Sequence, residues 1–345
     1  MALEAKRFEE SLASNVIETG KCLVCGACVV ACPFGCLEYS SEKPLLVKEC
    51  KACGICPRVC PQYVASQAEI ENLVFGRERK LEEEFGVHRR LAVAQAKDAA
   101  LRGISQDGGV VTALLTFALE NGLIDSAVVS GVGAEKPLSS VPKIATTSKG
   151  ILETAGTRYF YSPNILALPE ATKQKKTKIA FVGTPCQIRA VRKLQLAGLK
   201  KLVNPLSFVI GLMCSECFVY EELAEKYLKE TLSVSLNSIK KMNIKGKMIV
   251  TTDLGVKTIP LAEIKQYARR NCQFCSDFSS ELADISVGGL GLEGWTFTII
   301  RTEKGQEFFS KAEAAGILNV RSVNEEPNAL NLLNKLSKKK RFRQD

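Results

Sequence analysis

Eight cysteines near the N-terminus form two copies of one motif. The first copy is Cys22, Cys25, Cys28 and Cys32, and the second is Cys50, Cys53, Cys56 and Cys60. Each copy has the spacing C-x2-C-x2-C-x3-C, and a proline follows its fourth cysteine. This spacing is typical of [4Fe–4S] clusters, because three thiolates of one loop reach three corners of a cube while the fourth cysteine crosses to the other cluster. The two motifs therefore predict a protein that transfers electrons.

The crossing predicts which cysteines share a cluster. We expect one cluster to be bound by Cys22, Cys25, Cys28 and Cys60, and the other by Cys50, Cys53, Cys56 and Cys32. Cys36 lies outside the pattern and is interpreted as a buried thiol. A structural zinc site is the alternative, but zinc takes its four ligands from two separated C-x2-C pairs. A disulfide framework fits less well, because Met1 leads into a charged stretch rather than a secretory signal.

Length and composition place the two motifs in a larger protein. The chain has 345 residues, so most of it must form a second unit with its own core. The composition of 46% hydrophobic and 24% charged residues is typical of a soluble globular protein. No apolar run approaches the roughly 20 residues of a membrane-spanning helix. We therefore expect a cytoplasmic protein that reaches the cytoplasmic face of a membrane only through a partner.

The net charge of +10 arises in part from the C-terminus, where Lys338 to Arg343 contains five basic residues. A basic run can bind nucleic acid, but a short terminal cluster is more typical of a solvated or docking tail. We expect no nucleic-acid partner. The run is interpreted as a tail that docks on an acidic partner or an anionic membrane surface.

From Leu91 onward, short apolar segments alternate with amphipathic ones, which predicts an α/β body with a mostly parallel or mixed sheet. The predicted strands are 91–96, 126–132, 178–182, 206–212, 247–252 and 295–300. The predicted helices are 109–120, 187–196, 220–229, 261–268 and 305–315. The predicted organisation is a small α+β two-cluster ferredoxin-like domain (1–65), a charged linker (66–90), the body (91–322) and the basic tail (323–345).

Two glycine-containing turns in the body precede predicted helices. The first is Gln106, Asp107, Gly108 and Gly109, before the helix that contains Thr112, and the second is Gly183, Thr184 and Pro185. Exposed amides at a helix N-terminus suit a phosphate group, so the two turns predict a large phosphate-bearing cofactor. Ordinary helix capping is the alternative. The G-x-G-x-x-G sequence at 289–294 leads into a β-prone run rather than a helix, so we do not interpret it as a dinucleotide fingerprint.

The remaining five cysteines are confined to the body. They are Cys186, Cys214, Cys217, Cys272 and Cys275, and the last two form a C-x2-C pair. They can be buried free thiols, but beside two cluster motifs a third [4Fe–4S] cluster is the favoured interpretation.

The body resembles the family of β-subunits of coenzyme F420-reducing hydrogenase, whose members are flavoproteins that pass electrons between iron–sulfur clusters and the deazaflavin F420. The resemblance spans most of 91–316 and is carried by the segments at 106–109, 182–187, 211–214, 272–278 and 283–288. It implies FAD and a cluster bound by Cys186, Cys214, Cys272 and Cys275, with Cys217 outside the ligand set. An N-terminal ferredoxin fused to this body is similar to the F420H2 dehydrogenase branch of the family in methanogenic and sulfate-reducing archaea.

The resemblance implies the electron-input subunit of an F420H2 dehydrogenase, in which hydride transfer between F420 and FAD is followed by single-electron relay through the clusters. F420 carries a phosphate and a glutamate tail, so Arg158, Arg189 and Arg192 are candidates for charge pairing, although the last two also fit solvated helix faces. No side chain need act as a nucleophile. The implied partner is a membrane-bound dehydrogenase complex or a soluble carrier such as ferredoxin.

Three other functions remain open from the sequence. The chain can be an F420-coupled subunit of a hydrogenase, formate dehydrogenase or sulfite-reducing system. It can be a chlorophyll-type pigment reductase built on the same body. It can also be a non-enzymatic ferredoxin-like module, which would require the body to lack flavin.

Overall fold

The protein is described by a computed structural model that covers residues 6–40, 42–63 and 66–343. The strands are β1 (Leu37–Ser40), β2 (Lys43–Leu46), β3 (Arg90–Ala96), β4 (Ser126–Val132), β5 (Ser140–Ala145), β6 (Ile179–Gly183), β7 (Leu206–Leu212), β8 (Ile239–Ile244), β9 (Lys247–Thr252), β10 (Gly255–Pro260), β11 (Ile285–Gly288), β12 (Thr296–Ile300) and β13 (Leu318–Arg321). The α-helices are α1 (Ala27–Ala31), α2 (Ile55–Val59), α3 (Gln67–Phe75), α4 (Ala99–Ile104), α5 (Val110–Glu120), α6 (Ser148–Leu152), α7 (Leu168–Lys173), α8 (Pro185–Leu196), α9 (Lys200–Val203), α10 (Leu261–Ile264), α11 (Glu303–Ala314) and α12 (Pro327–Arg341). Wider π-type helices span Glu9–Ile17 and Glu221–Thr231, and short 3₁₀ segments span Asn164–Ala167, Leu236–Ser238, Lys265–Tyr267, Arg270–Phe274 and Val323–Glu325.

A mixed sheet forms the centre of the body. Its strand order is β13-β3-β12-β11-β7-β6-β4-β5, and β4, β6, β7 and β11 are joined by parallel pairing. Two antiparallel pairings, through β12, give β3 the same direction as β11. The carboxyl ends of these five strands therefore meet at one edge of the sheet, which we call the carboxyl edge. The predicted α/β body with a mixed sheet and its small ferredoxin-like region are confirmed.

Helices cover both faces of the sheet, which explains why its central strands are continuously apolar. In β6, Ala180 and Val182 pack with α5 and α11 on one face. Ile179 and Phe181 pack with α7 and α8 on the other face. Every residue of β6 is buried, so this strand holds the loop that follows it in a fixed position.

Most predicted elements are present, with two differences. The strand predicted at 247–252 belongs to a separate three-stranded antiparallel sheet of β8, β9 and β10. The helix predicted at 261–268 is divided into α10 and a 3₁₀ turn. It ends early because Ala268 pairs with Phe218 in an isolated β-bridge, so a tertiary contact replaces the last helical turn.

The N-terminal region shares a core with the body. Ala27 of α1 and Val59 of α2 are fully buried in the same cluster as Ile188 of α8. The predicted linker contains α3, whose buried Ile70 joins this cluster. The two-cluster region therefore packs directly on the body instead of standing apart from it.

The C-terminal segment is a helix rather than a solvated tail. In α12, Ala329 and Leu333 are buried against β3 and β12. Lys340 is also buried, and Arg341 forms an ion pair with Glu281. The interpretation of this segment as a free docking tail is wrong, because one face of the helix is apolar enough to pack on the body.

Among the helices that the structure describes, none combines the length and the apolar character needed to cross a bilayer.

Candidate iron–sulfur and cofactor sites

Two cysteine-lined cavities lie in the N-terminal region. The inner cavity is lined by Cys22, Cys25, Cys28 and Cys60 together with apolar side chains. The outer cavity is lined by Cys32, Cys50, Cys53 and Cys56, with Cys36 beside them. Each cavity thus takes three cysteines from one motif and the fourth from the other. The lining of each cavity agrees with the crossed ligand sets, which stay a prediction.

The two motifs have the same backbone conformation, which turns three thiols towards one cavity. Val24 and Gly26 in the first motif have φ of 51° and 82°, and Ala52 and Gly54 in the second have φ of 50° and 67°. A residue other than glycine in this left-handed region costs roughly 1–2 kcal/mol. Short helices α1 and α2 follow and place the fourth cysteine of each motif at the other cavity.

Backbone amides already point at two of these sulfurs. The amide of Phe8 donates to Cys50 Sγ at 3.3 Å, and the amide of Cys36 donates to Cys32 Sγ at 3.3 Å. The Cys36 thiol itself is buried and donates to the Glu49 carbonyl at 3.3 Å. Hydrogen bonds to sulfur are one of the means by which a protein sets a cluster's reduction potential.

No group of three or more His, Cys, Asp and Glu side chains within the described ranges is arranged to hold one metal ion. A single zinc ion needs its sulfur ligands about 2.3 Å away on one centre. A four-iron cluster instead spreads its thiolates over four corners, so its ligands need not converge on one point. All described cysteines are free, which leaves their sulfurs available as ligands.

The five body cysteines lie at or near the carboxyl edge. Cys186 is in the first turn of α8, directly after β6, and Cys214 and Cys217 follow β7. Cys272 lies in the Arg270–Phe274 turn, and Cys275 ends it. Burial raises the pKa of Cys186 to about 12, and the nearby Cys275, Cys214 and Cys272 thiols also act on it. Three separate segments therefore bring these thiols into one cluster.

Cys214 and Cys217 form a hydrogen-bonded pair of buried thiols. A hydrogen bond from the Cys217 thiol lowers the pKa of Cys214 to about 7, against burial, and the Lys340 ammonium lowers it further. The pKa of Cys217 is raised by the same hydrogen bond and by burial. The amide of Cys217 donates to Cys272 Sγ at 3.5 Å. Cys214 and Cys217 thus lie side by side near Cys272, and the assignment of Cys214 as a ligand and of Cys217 as a non-ligand stays a prediction.

The body thiols adjoin the inner cavity. Asn271 Nδ2 donates to the Cys22 carbonyl at 2.7 Å, and Gln62 Nε2 donates to the Phe274 carbonyl at 2.9 Å. The buried Lys193 ammonium of α8 donates to the carbonyls of Cys60 and Tyr63. These hydrogen bonds fix the position of one set of thiols relative to the other.

A buried aromatic ring lies between the same two sets of thiols. Tyr161 Oη is 3.9 Å from Cys186 Sγ. Burial raises the pKa of Tyr161, and the thiols of Cys186 and then Cys25 raise it further. The Arg269 guanidinium lies 4.4 Å from the centre of the Tyr161 ring and pairs with Glu42 at 3.1 Å. Tyr161 therefore lies near a thiol of each site.

The first glycine-containing turn is built into the body at the carboxyl edge. Gln106 Nε2 donates to the Met242 carbonyl at 2.9 Å, and Asp107 pairs with Lys245 at 3.2 Å. A Cβ on Gly108 would lie 2.6 Å from the Ala94 carbonyl oxygen, so only glycine lets this turn approach β3. Gly109, with φ of 72°, precedes α5, and no side chain caps that helix. The first amides of α5 therefore lack a side-chain acceptor, and Thr112 is buried in its first turn.

The second turn contacts the body thiols. Thr184 Oγ1 is 3.2 Å from Cys186 Sγ, and Pro185 begins α8. A Cβ on Gly183 would lie 2.8 Å from the Phe181 ring, so this glycine is required by packing within the protein. The turn positions Cys186, and its role in holding a phosphate stays a prediction.

The candidate arginines have different environments. Arg158 Nη1 donates to the Ala155 carbonyl at 3.1 Å, whereas its Nε is buried without a hydrogen-bond partner in the described part of the chain. Burial alone lowers the pKa of Arg158. The Nε of Arg189 also lacks a partner there. Arg192 pairs instead with Asp284 at 3.0 Å inside the protein, so its interpretation as a ligand for F420 is wrong.

Sequence reasoning missed Lys340, whose ammonium donates to the Cys214 carbonyl at 2.6 Å. A signal was present, since the buried positions Ala329, Leu333, Ser337 and Lys340 follow a helical spacing. The basic run suggested an exposed segment, because a buried lysine is unusual, and the packed face of α12 was therefore not predicted.

Comparison with known proteins identifies three regions of similarity. Residues 91–169 and 176–326 match the N-terminal and C-terminal families of the "Coenzyme F420 hydrogenase/dehydrogenase, beta subunit", respectively. Residues 15–38 match the "4Fe-4S binding domain" family.

Two relatives and one solved structure are similar over most of their lengths. Coenzyme F420 hydrogenase subunit beta of Methanosarcina barkeri is 41% identical over 253 residues, covering 72% of this chain and 86% of the relative. The F subunit of the F(420)H(2) dehydrogenase of Methanosarcina mazei is 32% identical over 345 residues, covering 95% and 91%. A chain of the F420-reducing [NiFe] hydrogenase complex from Methanosarcina barkeri superposes with a TM-score of 0.72 at 38% identity, covering 75% of this chain and 90% of that one.

Proposed function

Since the chain belongs to the family of coenzyme F420 hydrogenase/dehydrogenase beta subunits, we propose that it is the electron-input subunit of an F420H2 dehydrogenase. In this proposal F420H2 is oxidised by hydride transfer to FAD, and the electrons leave one at a time through three [4Fe–4S] clusters. FAD supplies the conversion between two-electron and one-electron transfer, which the clusters cannot perform. The residues of the chain bind these groups, fix the distances between them and keep water away from the path.

The observation that carries the proposal is the unbroken series of thiol sites. The body thiols at the carboxyl edge adjoin the inner cavity, and the inner and outer cavities exchange their fourth cysteines. Cys53 at the outer cavity is exposed, whereas Cys25 and Cys28 of the inner cavity are buried. The series therefore leads from the interior of the body to the protein surface.

This geometry supports the following proposed ligand sets. The inner cluster takes Cys22, Cys25, Cys28 and Cys60, and the outer cluster takes Cys50, Cys53, Cys56 and Cys32. The body cluster takes Cys186, Cys214, Cys272 and Cys275, and Cys217 supports Cys214 and Cys272 by hydrogen bonds.

The first turn and Arg158 are proposed to hold the phosphates of FAD. The free amides at the start of α5 suit an anion. A Cβ on Gly156 would lie 3.3 Å from Arg158 Nη1 and 3.7 Å from the Ile104 carbonyl, so the guanidinium adjoins the segment before this turn. A buried guanidinium with an unpaired Nε is stabilised by an anionic ligand, because that ligand supplies the missing acceptor and counter-charge.

A protein partner completes the proposed role. The relatives are named as subunits of an F420 hydrogenase and an F420H2 dehydrogenase. The partner accepts electrons at the exposed outer cavity and is either a membrane-bound complex or a soluble carrier such as ferredoxin.

Purified protein tests the proposal directly. Anaerobically reconstituted chain should contain flavin and reduce a one-electron dye with F420H2. NADH and chlorophyll-type pigments should give no comparable turnover. Absence of flavin would support the ferredoxin-like module, and turnover with NADH or a pigment in place of F420H2 would contradict the proposed substrate.

A pair of arginine variants tests the flavin site. Arg158→Met should lower the flavin content after gel filtration, because the phosphate loses its charge partner. Arg102→Met is the matched control, since Arg102 lies in α4 near the same turn but donates to the carbonyls of Ala96 and Lys97. Equal flavin loss in both variants would indicate general destabilisation, and unchanged flavin in Arg158→Met would place the phosphates elsewhere.

A further inference from the structure

A buried lysine from the C-terminal helix lies at the body thiols. Lys340 is 5% exposed, and its ammonium donates to the Cys214 carbonyl at 2.6 Å. The helix is held in place on both sides of this residue. Lys338 pairs with Glu84 at 2.6 Å, and Arg341 pairs with Glu281. The ammonium is therefore delivered to a fixed position.

The groups that face the Lys340 ammonium are mainly the body thiols. Within the described part of the chain, no carboxylate forms an ion pair with it. The acidic groups near its ammonium are the side chains of Cys275, Cys214, Cys272 and Asp277. Glu281, the other acid nearby, is already paired with Arg79 and Arg341. The ammonium thus lacks a dedicated carboxylate partner and lies beside the side chains proposed to hold the body cluster.

We propose that Lys340 is a positioning residue that raises the reduction potential of the body cluster. This inference rests on the proposed function, because it requires a cluster at the body thiols. Reduction adds one negative charge to a cluster, and a fixed cation nearby stabilises the reduced form more than the oxidised one. The effect is strong at a buried site, because low dielectric and exclusion of salt leave the interaction poorly screened.

Lys340 would also make the reduction potential of the body cluster differ from that of the outer cluster. The lysines beside the outer cavity are Lys6 and Lys51, and both are exposed to solvent. Solvent screens such charges, so they act less on a cluster. A higher reduction potential at the body cluster favours the transfer of single electrons from the flavin to this cluster.

Redox titration of the reconstituted full-length chain, followed by EPR, tests the proposal. In Lys340→Met, the ratio of reduced to oxidised body cluster at a fixed potential should fall at least about tenfold, which corresponds to 59 mV for one electron. Lys340→Gln should show a similar fall, because it keeps a hydrogen-bond donor but removes the charge. Lys340→Arg should retain most of the wild-type ratio. Lys339→Met is the matched control, since Lys339 is exposed on the same helix, and it should change no potential.

The outcomes separate tuning from a structural role. An unchanged potential in Lys340→Gln, or an equal fall for all clusters, would overturn the tuning role. Failure of Lys340→Gln to assemble the body cluster would also overturn it, since the lysine would then be structural. The Cys272→Ser variant identifies the body-cluster signal by removing it. An iron content of about eight atoms per wild-type chain would show that the body cluster is absent, and it would contradict the proposed function.

Discussion

Replacing Arg192 by methionine should destabilise the fold and leave the binding of F420 unchanged. Arg192 Nε donates to the Leu282 carbonyl at 2.8 Å, and Nη2 pairs with Asp284 at 3.0 Å. Both side chains of the pair are less than a tenth exposed, at 7% and 6%. Removal of one partner from a buried ion pair costs about 3–5 kcal/mol, because the other charge is left without compensation.

The remaining contacts of Asp284 place the expected cost near the lower end of this range. Its carboxylate still accepts hydrogen bonds from the Val209 amide at 2.7 Å and from Thr302 Oγ1 at 2.9 Å. We therefore expect a loss of about 3 kcal/mol in the free energy of unfolding.

Urea denaturation of the apoprotein measures this loss, and steady-state kinetics of the reconstituted protein gives the KM for F420H2. Arg189→Met is the matched control, because Arg189 lies one turn earlier on α8 and its Nε has no partner among the described residues. The control should lose less than about 1 kcal/mol. A loss below about 1 kcal/mol in Arg192→Met, together with a raised KM, would refute the assignment and restore Arg192 as a ligand-binding residue.

Three further predictions concern the clusters and the two ends of the chain. Cys272→Ser should lower the iron content from about twelve to about eight atoms per chain, whereas Cys217→Ser should keep about twelve; the reverse result would exchange the roles of a ligand and a supporting thiol. Truncation before Ser337 should lower both the melting temperature and F420H2-to-dye turnover, because it removes the buried Lys340 contact; an unaffected enzyme would show that the end of α12 is dispensable. Deletion of residues 1–64 should give an aggregating body, since it removes Ala27 and Val59 from the shared core; a monodisperse flavoprotein would contradict this expectation.

The strands and the head cysteines were predictable because their signals are local. The strands at 126–132 and 206–212 are short apolar runs bounded by polar residues, and both have the predicted bounds. The pairing of the cavities follows from a spacing that fits within a single loop. Such features depend on neighbours in the sequence, and the sequence is therefore sufficient to predict them.

The environments of charged residues were less predictable, because they depend on segments far apart in the chain. Arg192 is buried in an ion pair with Asp284, which lies 92 residues later in the sequence. Lys340 is buried because α12 crosses the segment after β7, 126 residues earlier. The apolar spacing of α12 indicates a packed face, but only the tertiary fold shows which partner that face meets.

The exchange of cysteines between the two head cavities has a consequence for biogenesis. The inner cavity lacks a ligand until the chain has been made as far as Cys60, and the outer cavity depends on Cys32 being held by the already folded first motif. Neither site can be completed while the other loop is disordered. Iron loading of the head is therefore expected to be cooperative, so that cells short of iron should accumulate empty and fully loaded heads rather than heads with one cluster.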